Sequence, residues 1–153
     1  MSGKMIPVLT QDAPAPMPIL SQGIVYNGVV YVSGTLGIIP STGKFVDGTV
    51  ADRTVRNAHC ALASSNSSCA DDLIFDKDQI FRNISAILKA AGSSLDSLIK
   101  VNIFLTSMSE FSTMNEAYAK NIPSGVMPVR TCVAVKELPF GSDVEIECIA
   151  ALE

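Results

Sequence analysis

The chain has 153 residues, of which 48% are hydrophobic and 17% charged. That composition fits one compact domain with a single core and excludes a disordered or fibrous chain. Eleven Lys and Arg against fifteen Asp and Glu leave a net charge of −4 with the basic residues scattered, which argues against a nucleic-acid or anionic-membrane partner.

The N-terminal MSGKMIPVLTQDAPAPMP carries neither a signal-peptide core nor the arginines of a mitochondrial presequence. No segment reaches the roughly 18 apolar residues of a membrane span. Four cysteines, Cys60, Cys69, Cys132 and Cys148, form no CxxC pair, so the expected location is a reducing, cytoplasmic one.

Prolines in DAPAPMPIL, residues 12–20, demand an extended entry segment. GIVYNGVVYVSG then reads as a β-hairpin turning at Asn27-Gly28. PSTGK at 40–44 is a turn, after which the pattern leaves room for a third short strand. Residues 55–77, VRNAHCALASSNSSCADDLIFDK, follow no period and read as an atypical insertion in a single domain spanning 1–153. From Gln79 to Ala91, Ile80, Phe81, Ile84, Ile87 and Leu88 recur at helical spacing, and Gly92 stands where a C-terminal cap belongs. LIKVNIFLT, residues 98–106, is a strand by residue type. Ser107 or Ser109 can cap a second helix, with Phe111, Met114 and Tyr118 on its apolar face. Two closing strands follow, Val129–Lys136 and Val144–Ala151, joined by a loop containing Pro139 and Gly141.

This order predicts an α+β domain in which two helices cover one face of a sheet. The other face is left apolar and uncovered, and association between copies is the natural remedy.

Within PVRTCVAVKELPFGSDVEIECIA, charged residues interrupt sheet-like runs. Alternation puts Arg130 with Cys132 and Ala134, and Glu145 with Glu147. An arginine among small neighbours, with no partner in its own strand, is a candidate carboxylate-binding fork. If the two strands form a hairpin, Arg130 and Glu145 share one face on the order of 13 Å apart. That leaves room for a small acid and a water, with Glu145 as acid or base through a carboxyl raised by desolvation. Glu147 reads as an ion-pair residue at the surface or an interface.

RTCVAVKELP followed by VEIECIA resembles the RidA/YjgF family of reactive-intermediate deaminases. APxP with SQG, YVSG at 31–34, ILKAAGSSLDSLIKVNIFLT at 87–106 and FSTMNEAYAK at 111–120 carry the resemblance over nearly all of the chain outside 55–77. It implies a chorismate-mutase-like fold, a mixed six-stranded sheet with two helices on one face, assembled as a homotrimer with active sites between subunits. It further implies hydrolysis of enamine and imine acids such as 2-aminoacrylate and 2-iminopropanoate to 2-oxo acids and ammonia, with no cofactor and no metal. In that comparison Arg130 grips the carboxylate, Glu145 activates water, and the backbone at Cys132 contacts the imine nitrogen or that water. Ser33 and Asn115 line the cleft, and Leu20 stands where the family often has an aromatic residue. The sole histidine, His59, is expected to be a bystander. Residues 55–77 are either a surface loop or a translated intron, because removing them restores an uninterrupted family pattern. Two alternatives stay open: non-catalytic binding of small 2-oxo or amino acids, and the RNA cleavage or translational inhibition attributed to relatives.

Overall fold

The structure, a computed structural model, describes residues 3–46, 48, 50 and 79–153. The 55–77 segment, with His59, Cys60 and Cys69, lies outside the described residues.

Six strands form one mixed sheet: β1 (Ile6–Val8), β2 (Gly23–Tyr26), β3 (Val29–Thr35), β4 (Leu98–Leu105), β5 (Val129–Ala134) and β6 (Val144–Ala151), in the spatial order β1-β2-β3-β6-β4-β5. Among the described residues two α-helices interrupt the chain order, α1 (Gln79–Ala90) and α2 (Phe111–Asn121). The β2–β3 hairpin turns at Asn27 and Gly28, with φ of 50° and 78°, the pair of positive angles that a type I′ turn requires. A short additional strand is β1, upstream of the proline-rich segment; after residue 44 the described residues form a single bridge, Ile38 to Phe45.

Helix α1 buries Ile80, Phe81, Ile84, Ile87 and Leu88. Twelve residues are too few for a stable isolated helix, so this apolar stripe, at about 1.5–3 kcal/mol per fully buried side chain, holds it in place. Its end is a Schellman cap: Gly92 takes φ +80°, Ser93 N–H donates to Leu88 O, and Gly92 N–H donates to Lys89 O. Before α2, the Ser107 hydroxyl accepts from Ser109 N–H, which opens the 3-10 turn Met108–Glu110 leading into the helix. Asn83 is fully buried, donates to Leu36 O and Ile38 O, and accepts from Gln79, so it pins the chain after β3 to α1.

Val30, Val32, Val101, Ile103, Val144, Ile146 and Cys148 point into one core with both helices, where Phe81 meets Tyr118 edge-on. The opposite face carries Tyr31, Ile149, Phe104 and Val133, together with Asn102 and Glu147, and neither α1 nor α2 lies over it.

The closing strands do not form the expected hairpin. β4 lies between them, paired parallel with β5 and antiparallel with β6. Helix α2 is the crossover that brings β5 back parallel to β4, a connection that needs a helix-length segment. A nine-residue link, 135–143, then passes β4 to reach β6.

Candidate functional site

This insertion of β4 changes the placement of both charged residues. Arg130 is opposite Val101, which is opposite Cys148, so Arg130 projects on the helix-covered face. Glu145 is opposite Phe104, itself opposite Val133, and projects on the uncovered face. The two backbone positions are two strands and three residues apart, roughly 14 Å from strand spacings. The expectation that Arg130 and Glu145 share a face is therefore wrong, for the physical reason that alternation has to be counted through the true neighbour.

Each residue belongs to its own half-site. Arg130 sits on edge strand β5 with its guanidinium 4.7 Å from the Tyr118 ring centroid and 5.9 Å from that of Phe111. Both distances fall within cation–π range. Phe111 and Tyr118 are seven residues apart on α2, and Asn115 between them occupies the same helix face. Its Oδ1 is buried and has no hydrogen-bond partner among the described residues. Among those residues no carboxylate pairs with Arg130 either. Two polar groups, one on β5 and one on the α2 face that carries the rings beside Arg130, are thus left with unused capacity, one cationic and one accepting. Cys132 lies two residues further along β5, half-buried. Burial raises its thiol, with Arg130 pulling the other way, so it is not a prepared nucleophile. Its backbone belongs to a sheet edge, where alternate N–H and C=O groups stay unpaired.

The second half-site is a cavity of about 170 Å³ at the end of the β3–β6 seam, lined by Leu20, Ser33, Gly34, Phe140 and Glu145 among others. A bulge between Val32 and Thr35 breaks the ladder with β6 just before Glu145 and opens the notch. Gly34 allows the carboxylate to lie against the backbone, because a Cβ there would meet Glu145 Cδ at 2.8 Å and Cγ at 3.2 Å. Burial pushes the Glu145 carboxyl above the usual carboxylate range, and the Glu147 charge adds to the rise. Glu147 itself accepts a 2.7 Å hydrogen bond from Asn102. The Ser33 hydroxyl donates to Ser21 O at 2.6 Å, which leaves its lone pairs free to accept.

Of the residues singled out from sequence, Leu20, Ser33 and Glu145 come together in the cavity, and Arg130, Asn115 and Cys132 share the other half-site. Sequence reasoning missed Gly34 and Phe140, and it read Phe111 and Tyr118 only as core. The PFG tripeptide, an aromatic residue between two turn formers, was the available signal for Phe140. Among the described residues no group of three or more His, Cys, Asp or Glu is placed to hold a metal, and no helix is long and apolar enough to cross a membrane.

A mixed sheet with a helical face, an edge-strand arginine and a separate carboxyl-bearing cavity define an α+β protein with a divided polar site. The family described as Endoribonuclease L-PSP matches residues 59–152. The chain is 38% identical over 145 residues to the chloroplastic Reactive Intermediate Deaminase A of Arabidopsis thaliana, covering 95% of this chain and 65% of that relative. It is 33% identical over 143 residues to the 2-iminobutanoate/2-iminopropanoate deaminase of Rattus norvegicus, covering 94% and 87%. The crystal structure of Escherichia coli TdcF with bound serine superposes with a TM-score of 0.76 at 28% identity, covering 97% of this chain and 99% of that one. The chain belongs to the RidA/YjgF family, whose members include reactive intermediate deaminases.

Proposed function

We propose that the protein hydrolyses reactive enamine and imine acids of the 2-aminoacrylate and 2-iminopropanoate type to 2-oxo acids and ammonia, in a homotrimer whose sites join the Arg130 half of one subunit to the Glu145 half of its neighbour. The observation that carries the reading is the division itself. An available guanidinium and a partly desolvated carboxyl lie on opposite faces of one sheet, so neither half alone can both anchor and hydrolyse a three-carbon acid. A second copy of the chain supplies the missing half, and the sheet face that α1 and α2 leave uncovered gives it a surface to pack on.

In this reading Arg130 takes the substrate carboxylate with its planar fork, held by the Tyr118 and Phe111 rings, and Asn115 Oδ1 accepts from the substrate's nitrogen. The enamine form first takes a solvent proton on its terminal carbon, and the species attacked is the iminium, C=NH2+. Glu145 removes a proton from water, the oxygen bonds to the iminium carbon, and the C=N π pair moves to nitrogen to leave a neutral carbinolamine. The protonated Glu145 returns a proton to that nitrogen, the C–N bond breaks, and ammonia departs with the bonding pair. Loss of the hydroxyl proton then completes the 2-oxo acid, and the proton leaves with ammonia as ammonium. An iminium carbon is already electrophilic, so holding it beside a polarised water supplies most of what is needed. The raised Glu145 carboxyl suits a group that must both take and return a proton.

The test is ammonia release from freshly generated 2-aminoacrylate. Wild-type protein is expected to accelerate it, and Arg130→Ala and Glu145→Gln are each expected to abolish the acceleration. Co-expressing the two variants tests the shared site. Random mixing in a cyclic trimer restores one complete site in most assemblies, about a quarter of wild-type activity. Recovery near zero would rule out sites shared between subunits.

A further inference from the structure

The cavity at Glu145 holds more apolar wall than a three-carbon imine can use. Its lining includes Pro16, Leu20, Leu36, Ile38, Ile87 and Phe140. The polar groups around it are largely committed elsewhere. Gln22 is buried, donates to Thr10 O at 3.0 Å and Pro14 O at 2.8 Å, and accepts from Thr10 N–H at 2.7 Å. The Ser33 hydroxyl donates to Ser21 O, and Thr35 Oγ1 donates to Ser33 O at 2.9 Å. Glu145 is left as the carboxyl facing a mostly apolar chamber of about 170 Å³, with Ser33 Oγ as an accepting group beside it. An apolar cavity of about 150 Å³ suffices to take up benzene.

Phe140 marks the chamber's function most clearly. It is one of two non-glycine residues with positive φ among those described, at φ 56° and ψ 20°, a conformation bulky side chains avoid. The residue is nonetheless 69% exposed, so core packing does not explain the strain. Pro139 before it and Gly141 after it, at φ +72°, hold the ring at the wall of the cavity. Residues held in such sparsely populated backbone conformations cluster at active sites and ligand clamps.

We propose that this chamber receives the substrate's side chain, that its substrates are 2-imino acids bearing a branched aliphatic or aromatic side chain, and that Phe140 is the residue that determines this preference. The proposal rests on the reading of the site given above and names the substrate class within it. The α-carbon faces Glu145, the carboxylate points out toward the arginine, and the side chain enters between Phe140, Leu20 and Ile87. An alanine-derived imine reaches the same two charged groups but leaves the chamber unfilled.

Imino acids generated in place from alanine, leucine and phenylalanine by an amino-acid oxidase, with residual imine trapped by semicarbazide, give kcat/KM for each. Wild-type protein is expected to favour the leucine- or phenylalanine-derived imine by at least about 10-fold, the low end of what one methylene is worth in an apolar pocket. Phe140→Asn is expected to erase most of that preference; asparagine tolerates positive φ, so an unchanged melting temperature separates loss of the ring from loss of fold. Competition by product analogues gives a second readout, with phenylpyruvate expected to inhibit more tightly than pyruvate. Equal or reversed preference in wild type, or full preference retained by Phe140→Asn, overturns the proposal. Turnover of no imine at all, with phenylpyruvate still bound more tightly than pyruvate, overturns the deaminase reading and leaves the chamber assignment standing.

Discussion

Substituting Gly34 by alanine separates catalysis from folding at a single methyl group. The new Cβ would lie 2.8 Å from Glu145 Cδ and 3.2 Å from Cγ, with the near carboxylate oxygen closer still. Ordinary carbon contacts need about 3.5–4 Å, so the carboxyl must swing away by on the order of 1 Å. The obstructing atoms are the end of a flexible side chain, and Gly34 is not among the positive-φ glycines. The fold therefore has little reason to suffer, and reduced freedom of the unfolded chain contributes about 0.4–1 kcal/mol in its favour. Misplacing a catalytic group by about 1 Å costs on the order of 100-fold in rate. The expected outcome is a kcat/KM for imine hydrolysis down by about that factor, with a denaturation midpoint equal to or above wild type. Full activity in Gly34→Ala would show that Glu145 does not act from the position it holds against the β3 bulge. Lost activity with lost stability would refute the claim that the collision stays local.

Tyr118→Leu removes the nearer ring under Arg130 while keeping apolar volume. A cation–π contact is worth about 0.5–2 kcal/mol, so KM for the acid substrate should rise roughly 2- to 30-fold with a smaller change in kcat; an unchanged KM would mean the ring does not orient the guanidinium. The acid limb of the pH–rate profile should fall above the ordinary glutamate value, since burial and then Glu147 raise Glu145, and Glu147→Gln should move that limb to lower pH. For stability, the folded state holds the Glu145 proton more tightly than the unfolded state, so this contribution is complete below the unfolded value and lost as pH rises through the folded one. Glu145→Gln should consequently be more stable than wild type in urea at about pH 8, with the gap closing near about pH 4. Asn83→Ala leaves the Leu36 and Ile38 carbonyls without their donor and should cost about 1–3 kcal/mol, measured by urea unfolding.

Much of the secondary structure was readable from local pattern. The Asn27-Gly28 turn, the α1 stripe with its Gly92 cap and the strand beginning at Leu98 follow from φ preference, helical period and residue type, which act over a few neighbours. The residue types of the site were legible for the same reason: an arginine and a glutamate stand out inside apolar strands wherever those strands lie. β1 escaped notice because a three-residue edge strand, IPV, has too few residues to show alternation.

What the tertiary structure alone decided is which strands are neighbours. Sequence proximity of 129–134 and 144–151 favours a hairpin, but burying the α2 stripe against the sheet requires the crossover that puts β4 between them. That one insertion sends Arg130 to the helical face and Glu145 to the bare one. It also sets the Phe140 loop beside Leu20 and Glu145, residues more than a hundred positions apart along the chain. Side-chain chemistry is written residue by residue, whereas the facing of each group depends on the pairing partner of its strand, a choice settled by the core as a whole.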